Sequence, residues 1–408
     1  MGGKTMVQSD RYWLIDGSDF YDVVNQESAF CMPWKYNLYE DFICLSESYY
    51  SCAHTILSKI VNSSHDNEKC DMWFLPGMYM YRQAIELLCK SLIIPQINNK
   101  NQLTAIFVQY KHNLKGLLEE YIRIVCREKL PLNEDEIEWL AEYISNLETV
   151  DKESDLFRYP FKDDFMNLYA NDFLDIVDMA NGVEQCYSIL FKCLDSSHDP
   201  MKYASEIDCS ISTDFLHFAT HGFGNCQLYE SPWGDGFYKQ VVGYSEAAEY
   251  IFSQDNKSNG QKLLFPIAFL LRNAIELSLK RLLFIRNDFR VSDHIKSTKK
   301  NSHLLYRDLW KHIKPIIEHY AKDNNEDLLQ IDIAEDYIKK LSVIDKNGDV
   351  FRYPVNYGLQ YRFVGKILDF EHIYGWMQGI FNFLDGCNDM ISAIYDFECE
   401  MRSDYFDY

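Results

Sequence analysis

The chain has 408 residues, of which 47% are hydrophobic, 15% aromatic and 25% charged. This composition supplies ample apolar material for one or two cores and excludes an intrinsically disordered chain. The formal net charge of −22 excludes a protein that coats nucleic acid by neutralising phosphates over its whole surface, so any such contact must be local or pass through a partner.

The first residues, MGGKTMVQSDRYW, contain no apolar run, so no secretory leader is expected. Met6 stands where the myristoylation pattern requires Ser or Thr. No apolar stretch approaches the roughly 18 residues that a membrane span needs. The 12 cysteines form no Cys-x-x-Cys pair. Several, including Cys89, Cys126 and Cys193, fall in apolar helical stretches and read as small hydrophobes of a cytoplasmic protein.

Apolar residues recurring at three and four predict helices at about 39–61, 76–94, 112–127, 133–149 and 170–195, then again at about 236–254, 263–286, 303–321, 327–343 and 364–396. Strand signals are weak. These two series are copies of one another. LPGMYMYRQAIELLCKSLI and FPIAFLLRNAIELSLKRLL share P-x5-R-x-A-I-E-L-x2-K, aligning Arg82, Glu86 and Lys90 with Arg272, Glu276 and Lys280. His112-x-Leu114 aligns with His303-x-Leu305, and DKESDLFRYP with DKNGDVFRYP, which pairs Arg158 with Arg352. Upstream, Pro33-Trp34 aligns with Pro232-Trp233 and Ser46-Glu47 with Ser245-Glu246. Several matches in one order at nearly constant offset mean a duplicated domain, with copies at 1–200 and 210–408. Pro160 and Pro354 disfavour helix through FRYP, so this motif is expected in a loop or extended corner.

Arg82, Glu86 and Lys90 are spaced by four and share one face of an otherwise apolar helix, as do Arg272, Glu276 and Lys280. Two readings are open. The polar stripe is either a buried ion-pair ladder completed by the FRYP arginine and by His112 or His303, or the wall of a pocket present twice, with Arg and Lys for a phosphate and His or Glu for protons. Under either reading a buried glutamate needs a cation. Arg158 is therefore expected to pair with Glu86, and Arg352 with Glu276.

Ala84-Ile85-Glu86-Leu87 with Lys90, followed by His112, Leu114 and Leu118, resembles the HEPN superfamily of small all-α domains, as does the equivalent set Ala274 to Leu277, Lys280, His303, Leu305 and Leu309. The likeness covers the middle of each copy. It implies an all-α chain of two tandem HEPN-like bundles packed as an internal pseudo-dimer. It further implies a binding or regulatory protein of a bacterial stress, toxin or phage-defence system, recognising RNA, a nucleotide or a partner protein. Many members of the family are metal-independent endoribonucleases that use R-x4–6-H. The match here is Arg307 to His312, the catalytic pair of that alternative; the first copy reads KGLLEEYI at the same place and lacks both residues. His217 and His221 are four apart, as metal ligands on a helix often are, but no third ligand is evident and no metal is expected. P-loop, dinucleotide and nucleophile-elbow patterns are missing, so no cofactor is expected. Trp34 and Trp233 could stack on bases or staple a helix to the core.

Overall fold

The computed structural model describes residues 12–63, 66–203, 207–228, 237–254, 259–284, 304–323 and 327–406. In the first half, β1 (Ala29–Cys31) precedes α1 (Leu38–Val61), α2 (Asn67–Met72), α3 (Phe74–Ile93), α4 (Lys100–Tyr110), α5 (Leu114–Val125), α6 (Glu134–Val150), α7 (Asp163–Tyr169), β2 (Phe173–Leu174) and α8 (Ile176–Lys192). Next come β3 (Phe218–Ala219), β4 (Cys226–Gln227), α9 (Tyr238–Gln254) and α10 (Gly260–Phe284). A π-helical turn over Leu305–Trp310 leads into α11 (Lys311–Asp323), followed by α12 (Leu329–Ile344), β5 (Ile367–Asp369) and α13 (Phe370–Phe406). The chain is predominantly helical, and none of the described helices is long and apolar enough to cross a membrane.

Local chemistry sets the helix starts. Asn37, Asp66, Asn99, Asn113 and Asp175 each accept a backbone N–H of the first turn with the side chain. Asn133 does so within a capping box closed by Glu136. One predicted helix starts late. The helix expected over 170–195 is α8, which opens only at Ile176 after the short strand β2, because Asp175 turns its carboxylate to Val177 and Asp178 and caps the helix there; α7, before it, was not expected. The sequence reading also missed α4. His217 and His221 flank β3 in non-helical segments rather than lying on a helix. No group of three or more potential metal-ligating side chains occurs among the described residues. Cys126 is exposed at the end of α5, at a φ of 71°, whereas Cys89 is buried.

Every residue of α3 is buried. It packs against α1, α5 and α8 of its own half and against α9 of the other, while α10 packs against α9, α13 and α1. Helices α3 and α10 thus each meet the opposite half. Where they face one another, the equivalent rings of Tyr79 and Phe269 stack at 4.7 Å and 12°.

The segments preceding α1 and α9 also cross over. In the first, Tyr12 packs on Tyr374, Trp13 on Phe383, and Phe20 among Phe351, Phe363 and Trp376. β1 then pairs antiparallel with β5, Ala29 opposite Asp369. The Trp34 indole packs on Phe265 and donates to the carbonyl of Arg362 at 2.7 Å, so this corner staples the two halves together. In the second, Ile211 and Thr213 accept from Trp139 and Asn146, Phe215 packs on Tyr143 and Phe157, and β4 pairs with β2. Pro232, Trp233 and His303 lie outside the described residues.

Candidate functional site

The polar stripe of α3 is a closed ion-pair ladder. Glu86 accepts Arg82 Nη1 at 3.2 Å and Lys90 Nζ at 2.6 Å. Arg82 also pairs through Nε with Asp151 Oδ2 at 2.9 Å and donates through Nη2 to the carbonyls of His112 and Asp151. The other Asp151 oxygen accepts the amides of Asp155 and Leu156, which fixes the start of the FRYP loop. Helix α10 repeats this construction. Glu276 accepts Arg272 Nη1 at 3.0 Å and Lys280 Nζ at 2.6 Å. Arg272 Nε faces Asp345 Oδ2 at 3.5 Å, and Asp345 holds the amides of Asp349 and Val350.

From these anchors the two FRYP loops exchange places. Tyr353, from the second half, donates its hydroxyl to Glu86 in the first, and Tyr159 donates to Glu276 at 3.0 Å. Arg352 reaches to 3.8 Å from Glu86 and donates Nε to Gln83 at 3.1 Å, while the Gln83 amide donates back to the Arg352 carbonyl at 3.0 Å. Asn273, the residue equivalent to Gln83, makes the same two bonds with Arg158, each at 3.3 Å. The expected pairing of Arg158 with Glu86 and Arg352 with Glu276 is therefore corrected. Each loop is pinned to its own half at its aspartate and through its phenylalanine, Phe157 packing on Phe74 and Phe351 on Phe265, while its arginine and tyrosine run on into the other half, where Lys90 and Lys280 lie over the arriving tyrosine rings at 4.2 and 4.3 Å. Sequence reading missed Gln83, Asn273 and the two tyrosines. The signal was present: both copies keep a side-chain amide after the arginine of R-x-A-I-E-L and a tyrosine in FRYP.

His112 belongs to the first cluster. Its Nδ1 lies 3.1 Å from Glu86 Oε2, 3.2 Å from Arg352 Nη2 and 3.2 Å from the Tyr353 hydroxyl. Burial, reinforced by Arg352 and Lys90 against the pull of Glu86, lowers its pKa to about 4, so the ring is neutral near neutrality. Burial raises the Glu86 carboxyl, but Lys90, His112 and Arg352 outweigh it and hold the group well below its usual range. Burial lowers Lys90 and Lys280 and raises Asp151 and Asp345, each opposed by its ion-pair partner. Glu148, pushed by burial to about 7, accepts the amide of Leu114. In the other half Ser342 accepts the amide of Tyr306, so a hydroxyl there takes the place of a carboxylate.

The crossing loops enclose a cavity of about 900 Å³. Arg158, Tyr159, Arg352, Tyr353, His112 and Lys280 line it, together with apolar side chains including Phe161, Phe165 and Leu216. Six of the residues singled out in the sequence converge on the space or its immediate wall: His112, Arg158, Lys280 and Arg352 line it, with Glu86 and Glu276 behind. Arg82, Lys90 and Arg272 are buried in the ladders. Arg307 and His312 lie elsewhere. Arg307 is exposed in the π-helical turn and paired with Asp308 at 2.7 Å, His312 is exposed at the start of α11, and neither lines the cavity. Compared with protein families, curated proteins and solved structures, the chain matches none.

Proposed function

We propose that this chain is a binding or regulatory protein made of two HEPN-like helical halves packed as an internal pseudo-dimer, with the cavity between the crossed FRYP loops as its ligand site. The ligand would be RNA, a nucleotide or a segment of a partner protein, within a bacterial stress, toxin or phage-defence system. One observation carries this reading. The residues that the two copies share leave their own halves, meet those of the other, and wall a single space large enough for a small molecule. Among the described residues each ladder sets three cations against two carboxylates: Arg82, Lys90 and Arg352 with Glu86 and Asp151, and Arg272, Lys280 and Arg158 with Glu276 and Asp345. Glu148 adds an acid only in the first half. Among the described charged residues lining the cavity, the buried ones are the cations Arg158, Lys280 and Arg352, whereas Glu153, Asp155, Asp164 and Asp349 are partly or fully exposed, and buried cations favour an anionic ligand.

Titration calorimetry of the full chain with AMP, ATP and a short single-stranded RNA tests the proposal. Saturable binding that Lys280→Met weakens supports it; failure of every probe, with no partner captured through this site, removes its basis. The alternative, a metal-independent endoribonuclease using Arg307 and His312, draws no support from their exposed positions away from the cavity. Total RNA from bacteria expressing wild type or His312→Ala decides it: cleavage that requires His312 would restore the enzyme reading.

A further inference from the structure

The two FRYP arginines are equivalent in sequence but not in bonding. Arg352 Nη2 contacts His112 at 3.2 Å and Ser154 Oγ at 3.5 Å and approaches Glu86. Arg158 donates only Nε, to Asn273. Its guanidinium lies against the rings of Tyr79, Tyr159 and Phe269 at 5.1–5.5 Å. The residue is 7% exposed, and neither terminal amino group has a hydrogen-bond or ion-pair partner among the described residues. Neither group is sealed away in the core, and Arg158 lines the cavity, so both donors remain open to it.

The sequence explains part of the difference. Gly348 occupies the position equivalent to Ser154, so the second half has no hydroxyl to offer the arriving Arg158. Both residues have left-handed backbone, with φ of 57° at Ser154 and 71° at Gly348, so a serine at 348 would adopt the same turn that Ser154 does, with the backbone strain a side chain carries there. A buried guanidinium whose amino groups lack partners is costly, and two parallel N–H donors match the two oxygens of a carboxylate or phosphate.

We infer that Arg158 anchors the oxyanion head of a small ligand, a carboxylate or a phosphate monoester, whose apolar body lies along Phe161, Phe165 and Leu216. The inference rests on the cavity being the ligand site proposed above. Lys280 lines the same wall and spends one donor on Glu276, which leaves two for the head. At the rim, Glu153 and Asp164 are exposed, so a second anionic group outside the head meets repulsion. This favours a ligand with one head over a polyphosphate or a nucleic-acid strand.

The test is titration calorimetry of the full chain with octanoate, octyl phosphate, octylamine and inorganic phosphate. Octanoate, octyl phosphate or both should bind, and octylamine should not; the response of one or both identifies the source of the head. Arg158→Gln should weaken binding by about ten- to a hundredfold. Gly348→Ser, which supplies Arg158 with the missing hydroxyl, should weaken it several-fold and serves as the deciding variant if Arg158→Gln does not fold. Equal binding of octylamine, no binding of either octyl acid, or wild-type affinity in a folded Arg158→Gln or in Gly348→Ser would overturn the inference. AMP or RNA bound equally by wild type and these variants would leave the proposed site standing and remove this assignment alone.

Discussion

Gln83 holds Arg352 at two points, receiving Nε at 3.1 Å and donating to its carbonyl at 3.0 Å, across 269 residues of sequence. A side-chain amide suits this because it presents a donor and an acceptor side by side to a backbone carbonyl and a guanidinium. Leucine in its place fills similar volume but leaves both partners buried and unpaired. Gln83→Leu should therefore destabilise the whole chain by about 2–4 kcal/mol, read as a lower denaturant midpoint with an unchanged slope. An effect within about 0.5 kcal/mol would mean that the clasp does not hold the halves together.

Glu86 receives donors from both halves, so its removal strands cations in each. Glu86→Ala should cost about 3–5 kcal/mol, and Tyr353→Phe, which removes one donor and leaves the lysine and arginine in place, about 1–3 kcal/mol. The two changes share one bond, so in combination their effects should fall short of additive in chemical denaturation. Full additivity would contradict the contact between Tyr353 and Glu86.

His112 predicts a pH dependence with a definite sign. Its folded pKa is depressed from 6.5 to about 4, so the unfolded chain takes up this proton first as the pH falls. The stability contributed by the neutral ring is complete above about 6.5 and is lost on the way down to about 4, a change of up to about 3 kcal/mol. Glu148, raised to about 7, acts in the opposite direction: its contribution is complete at low pH and is lost as the pH rises through about 7. Glu148 is common to wild type and His112→Asn, so their difference isolates the histidine. Between pH 7 and pH 4.5 the wild type should lose stability more steeply than the variant; a shallower loss would refute the assignment.

Cutting the chain between the halves should not separate them. With a protease site inserted between Tyr203 and Ile207, the nicked protein should run as one particle on size exclusion, because the FRYP loops, the segments before α1 and α9, and the small strands all cross between halves. Two independent species after cleavage would show that these contacts contribute little.

Much of the fold was legible because duplication prints each signal twice. The helices that became α1, α3, α6, α9, α10 and α12 were placed within a few residues by apolar spacing, and the prolines of FRYP correctly excluded helix there. The ladders were legible for a similar reason, since a charged stripe at spacing four on an apolar helix must be paired. Which loop completes which ladder was not. Residue type demands a cation for Glu86 but cannot say whether it arrives from 72 or 266 positions away (158 − 86 and 352 − 86), and both copies offer the same motif. The late start of α8 was hidden because apolar residues precede it and a single aspartate decides where the helix opens. The cavity itself leaves no periodic trace, being made by two irregular loops that meet only in three dimensions.

The stacked pair of Tyr79 and Phe269 shows what fusion into one chain permits. In an association of identical subunits a residue that faces its own equivalent is encoded once and altered twice, so any change there must suit both sides together. Here the equivalent positions are encoded separately and have already parted, as tyrosine against phenylalanine at the stacked pair, Ser154 against Gly348 and Glu148 against Ser342. Selection can therefore tune one side of the central space while leaving the other as scaffold. Because each loop completes the opposite ladder, a mutation in one half should register as a defect in the other.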